Sequence, residues 1–190
     1  MKSFPNANQL SGRAIGAIFF ACFGTGWFFL ALIAKQMIGF ATVSAVMLGM
    51  VVLLLASAYL LHRAKRRPRV PNDPAMGSAF GWINAIQWIA IAVVAFSFAK
   101  LHLNAYVISA ITAIIGLHML PLAWLFHYPM HYATGAVLVA WAAASAILAP
   151  AEQMQGTAAL GTGIILWLSA ALTLAIALQV TRLPATSPSA

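Results

Sequence analysis

Acidic side chains are nearly missing from this chain. Only Asp73 and Glu152 carry side-chain carboxylates among 190 residues, and neither falls inside a long apolar run. Proton-coupled transporters and pumps usually rely on buried acidic relays, for which there is no material here. The acidic rings of cation pores lack material too, as does the carboxylate base of a membrane metallohydrolase. Cysteine is just as scarce. Cys22 stands alone, so no disulfide framework and no cysteine-based zinc site is available. No lysine or arginine lies in the middle of an apolar run, which argues against a retinal Schiff base and against a voltage sensor. No glycine-rich phosphate loop sits at a soluble strand–helix junction. The sequence therefore points to no catalytic residues, no metal site and no nucleic-acid partner, and it names no cofactor.

What is present is hydrocarbon. Hydrophobic residues make up 63% of the chain and charged residues 6%, against about 25% charged in a soluble domain. A water-facing surface cannot be built from so few charges, so most of the surface must face lipid. Six apolar runs, at about 14–34, 38–61, 79–99, 104–126, 133–149 and 157–179, approach or exceed the roughly 20 residues that a span requires. The expected fold is an all-α integral membrane bundle of six transmembrane helices, with residues 1–190 as a single transmembrane domain. The first run passes through Lys35 straight into the second, and so reads as a retained helix rather than a cleaved leader.

The connectors alternate in charge. Lys2, Arg13, Arg63, Lys65, Arg66, Arg67, Arg69 and Arg182 fall on one side, and only Lys35 and Lys100 on the other. The positive-inside rule then puts both termini and the basic 62–78 loop in the cytoplasm. The basic residues at 63–67 chiefly set this orientation, and they also lie where anionic headgroups would meet them. Asp73 before Pro74 has the form of a helix N-cap followed by a first-turn proline. "VSA" and "AYLLH" at 43–45 and 58–62 echo "ISA" and "AWLFH" at 108–110 and 123–127, an offset that suggests assembly from helical hairpins. Small residues at helix-packing spacing, Gly12 with Gly16, Ala140 with Ala144 and Ala142 with Ala146, are expected to let helices approach closely.

The mild polar residues inside the runs form a layer. Gln87 and His118 each lie eight residues from the inner end of their run, about 12 Å deep at the helical rise. Cys22, Trp141 and Ser169 fall near the same level, and Asn84 shares a helix face with Gln87 and Trp88. Pro121 cannot donate to the carbonyl of Leu117 and is expected to kink the helix beside His118. His118, Gln87, Asn84, Trp88, Trp141 and Ser169 are thus the candidate ligand-binding residues. His127, Tyr128, His131 and Tyr132 read as interface anchors where one helix leaves the membrane and the next enters. Pro129 between the two histidines argues against a shared metal face.

The stretch "GLHMLPLAWLFHYP" at 116–129 resembles one in an uncharacterised family of small bacterial multi-pass membrane proteins, where a His-Leu-Leu-Pro-like run precedes an aromatic-rich helix end. The resemblance implies a bacterial inner-membrane location and carries no activity with it. Three functions fit the sequence. The first is a channel, transporter or binding protein for a small neutral or anionic solute. The second is a structural or accessory subunit, acting as a homo-oligomer or with a membrane partner. The third is a haem or metal protein ligated through His118.

Overall fold

The computed structural model describes residues 6–68, 71 and 74–182. Among them are six helices long and apolar enough to cross a membrane: α1 (Ala7–Ala34), α2 (Phe40–Ala64), α3 (Pro74–Lys100), α4 (Val107–Leu125), α5 (Met130–Leu148) and α6 (Met154–Arg182), with a single 3₁₀ turn at Asn104–Tyr106 before α4. No strand occurs among the described residues. Several helices outrun the expected spans because polar turns at their ends continue the helical ladder beyond the apolar stretch. α1 starts seven residues early, held by a capping box in which the Asn6 side chain accepts from the Gln9 backbone at 2.9 Å and the Gln9 side chain accepts from the Asn6 backbone at 3.3 Å. Pro74 opens α3 as expected, while its proposed cap Asp73 lies outside the described residues.

Three helices end alike. At the C-termini of α1, α3 and α4, Gln36, His102 and His127 have φ of 54°, 57° and 49°. Each is followed by the six-to-one hydrogen bond of a Schellman motif: Met37 to Leu32, Leu103 to Phe98 and Tyr128 to Ala123. Glycine is the usual residue at that left-handed position, and histidine tolerates it better than most. Two of the five histidines are thereby accounted for by chain reversal.

Contacts at the helix ends fix the alternation of directions. The Ala7 backbone N–H donates to the Pro68 carbonyl at 3.0 Å, and Thr181 shares a cavity with Arg63, Arg66 and Arg67. The start of α1, the end of α2 and the end of α6 therefore lie together at a basic end. At the other end Lys35 Nζ donates to Thr157 at 3.3 Å and Gln155 Nε2 to the Asn104 carbonyl at 2.8 Å.

α6 is the axis of the bundle, packing on α1, α2, α4 and α5. Lipid tails are as apolar as leucine, so close approach rather than water exclusion must hold the helices. The α1–α2–α6 core accordingly combines Leu10, Leu60 and Leu174 with Ala14, Ala17, Ala64, Ala170 and Ala177. The approach is tightest at two glycine crossings. A Cβ on Gly135 would stand 2.5 Å from the Gly116 carbonyl oxygen where α5 crosses α4, and one on Gly163 would stand 3.1 Å from the Gly24 oxygen where α6 crosses α1. The expected Gly12–Gly16 pair plays no such part, since a Cβ at either would meet nothing within 4 Å. α1 buries Ala14, Ala17 and Ala21 instead. Of the alanine pairs, Ala142 is buried and Ala140 exposed. α3 stands apart: it packs on α4 and the adjoining 3₁₀ turn and has no buried residue.

Candidate functional site

Hydroxyl pairs, not charges, tie the interior of α4, α5 and α6. Ser109 bonds Ser145 at 3.0 Å, Thr112 bonds Thr162 at 2.8 Å and Thr134 bonds Ser169 at 2.9 Å. Thr112, Thr134 and Thr162 each also reach the carbonyl one turn back on their own helix. A hydroxyl both donates and accepts, so each pair satisfies itself without importing charge. Two tryptophans add indole bonds. Trp167 of α6 fits a slot left by Gly24 and Gly49 and donates to the Ala21 carbonyl at 3.1 Å. Trp141 of α5 lies over Gly161 and donates to the Ala158 carbonyl at 3.2 Å.

The expected polar layer divides among separate neighbours. His118 is buried and has the Ile83 backbone of α3 within hydrogen-bonding reach, so α3 and α4 are brought together there. Asn84 donates to the Phe80 carbonyl of its own helix at 2.8 Å. Gln87 is half-buried on the next turn, and Trp88 is 57% exposed. Ser169 belongs to the α5–α6 hydroxyl pair. Trp141 lines a cavity of about 230 Å³ with Ser145, Leu148, Pro150 and Thr157, at the end opposite the basic residues. α4 runs on through Pro121 as far as Leu125, and Pro121, like Leu117, is exposed.

One group gathers that the sequence does not signal. His131, in the first turn of α5, turns inward rather than toward the interface. Its ring meets Phe20 of α1 at 5.8 Å, Tyr128 at 5.1 Å and Phe126 at 6.4 Å, all edge-on. It also lies close enough to His118 to interact with it electrostatically. Its Nδ1 is buried and has no hydrogen-bond partner. Phe126 reaches across to Phe80 of α3 at 5.8 Å. Tyr128 closes the basic-end side, with its hydroxyl donating to Thr173 at 3.2 Å and the Arg13 guanidinium 5.1 Å from its ring centroid. Phe20, Phe126 and Tyr128 thus surround the His131 ring, with Phe80 of α3 packed behind Phe126. By contrast His127 and Tyr132 are exposed, as interface anchors would be. His118 and His131 are thirteen positions apart on different helices, so no spacing rule links them. Among the described residues no group of three or more histidine, cysteine or acidic side chains could hold a metal ion.

Six lipid-length helices, exposed aromatic side chains around them, and an interior joined by hydroxyls and glycines define an α-helical multi-pass membrane protein. Within that class the chain belongs to the family described as "Family of unknown function (DUF7010)", whose model matches residues 8–176. No curated protein and no solved structure matches the chain.

Proposed function

We propose that this protein binds a small neutral or anionic solute at the His118–His131 pair and passes it through the membrane. The carrying observation is the buried, unpartnered Nδ1 of His131, with the buried His118 within electrostatic range of it. A buried polar atom left without a partner costs about 1–3 kcal/mol, so retaining one suggests a group that arrives from outside. An imidazole can meet such a group as donor or acceptor, depending on its tautomer. The aromatic rings around His131 favour a compact, uncharged or delocalised solute over a metal cation. In this reading the protein is a single transmembrane domain of a bacterial inner membrane. The basic end faces the cytoplasm with both termini.

The test is a thermal-shift screen of the purified protein against urea, glycerol, formate, acetate and nitrate. A solute at a hundredfold its Kd should stabilise the protein by about 2.7 kcal/mol. That shift should vanish in His131→Phe and His118→Leu and persist in His127→Leu. The proposal fails if none of these solutes shifts the protein, or if the shift survives in both inner-histidine variants. A visible absorption band in the purified protein would point instead to a haem or metal held by the two histidines. A second reading, an accessory subunit, draws on α3, whose lack of buried residues suits a helix covered by a partner. A fixed co-purifying membrane protein would favour it.

A further inference from the structure

A second cavity, of about 180 Å³, lies at the basic end between the last turns of α2 and α6, lined by Arg63, Arg66, Arg67 and Thr181. Among the described residues the neighbours of these arginines are neutral: the Arg63 guanidinium lies 5.8 Å from the Tyr59 ring centroid, and Arg66 is 3.5 Å from the His62 ring nitrogen. The chain has two acids in all. Glu152 sits in the α5–α6 link at the opposite end, so Asp73 is the one side-chain carboxylate that the sequence offers for three guanidiniums. The C-terminal carbonyls of α2 and α6 attract cations, but partial charges of that size do not neutralise three full ones.

Below the cavity, α2 presents an exposed apolar stripe at helical spacing: Leu48, Val52, Leu55 and Tyr59, 66%, 56%, 66% and 53% exposed. The basic cavity and the stripe form one continuous feature, charged at the membrane border and apolar along the hydrocarbon. We infer that this feature is a binding site for one anionic lipid, with its headgroup phosphate among Arg63, Arg66 and Arg67 and an acyl chain along α2. Arginine suits the task because its planar fork pairs with two phosphate oxygens at once, which a lysine ammonium does not.

Protein purified in neutral detergent would be titrated with phosphatidylglycerol, phosphatidylcholine or inorganic phosphate, and bound lipid counted by native mass spectrometry. Phosphatidylglycerol should be retained about tenfold better than phosphatidylcholine. Replacing Arg63, Arg66 and Arg67 together with Gln removes the charge that separates an anionic from a zwitterionic headgroup and should bring the two lipids to parity, while Lys2, Arg13, Lys65, Arg69 and Arg182 remain to direct insertion. Thr181→Phe, which fills the cavity without touching charge, should do the same. Displacement of phosphatidylglycerol by inorganic phosphate would support recognition through the phosphate. Equal retention of the two lipids by the wild type would overturn the inference. So would unchanged preference in both variants, or phosphate binding without any lipid preference, which would make the site one for a free anion.

Discussion

Replacing Gly135 with alanine should drive α4 and α5 apart. The new Cβ would stand 2.5 Å from the Gly116 carbonyl oxygen and 3.0 Å from the Met119 Cβ. A carbon–oxygen contact needs about 3.3 Å, so the two backbones must separate by about 0.8 Å at the crossing. Neither partner is the tip of a flexible side chain that could swing away. The same interface carries the Ser109–Ser145 bond at 3.0 Å, which such a separation would stretch beyond hydrogen-bonding range. Overpacking of this kind costs about 1–3 kcal/mol, and an interhelical hydrogen bond in a membrane is worth about 0.6 kcal/mol. Alanine's better helix propensity returns up to about 1 kcal/mol. The net expectation is a loss of about 2 kcal/mol. Gly12→Ala is the matched control: its Cβ would meet nothing within 4 Å, so only the propensity gain of about 0.5–1 kcal/mol applies. Reversible unfolding in mixed micelles, with the tryptophans as the fluorescent probe, would measure both. If Gly135→Ala proves as stable as Gly12→Ala, the close glycine crossing is wrong and the reasoning built on it falls.

His131→Phe keeps a planar ring among Phe20, Phe126 and Tyr128 while removing the unpartnered nitrogen. It should raise the stability of the solute-free protein by about 1 kcal/mol in the same assay, and a loss of that size would mean that Nδ1 has a native partner. In a double-mutant cycle of Thr112→Val with Thr162→Val, the coupling energy should be about 0.6 kcal/mol, and additivity would show that the pair is only a contact. His127→Gly relieves a left-handed residue and should stabilise by about 0.5–1 kcal/mol, whereas His127→Val should destabilise, both read from the unfolding midpoint. Reporter fusions after Ala190 and within the 150–153 link should report cytoplasm and exterior respectively; a cytoplasmic signal from that link would reverse the orientation.

The membrane class and the six helices were legible in the chain because they depend on local quantities. Twelve charges in 190 residues and runs of lipid length leave few other solutions. The approximate helix ends were legible for the same reason, and Pro129 does precede α5. What the sequence could not decide is which face of each helix meets protein. In water an apolar stripe points to the core, but in lipid every side of a helix is apolar, and small residues recur on several faces. Gly12 and Gly16 have the right spacing and face open space, while Gly116 and Gly135, on different helices, make the tight crossing. The site divides along the same line. His118 stood out because a histidine deep in an apolar run is costly wherever it points, and the structure buries it against α3. Trp141 and Ser169 matched it in depth, but depth says nothing of azimuth, and both are engaged between α5 and α6. His131 looked like an interface anchor from its place at a helix start. Only the rotation of α5 against α1 and α4, set by contacts far away in sequence, turns its ring inward beside His118.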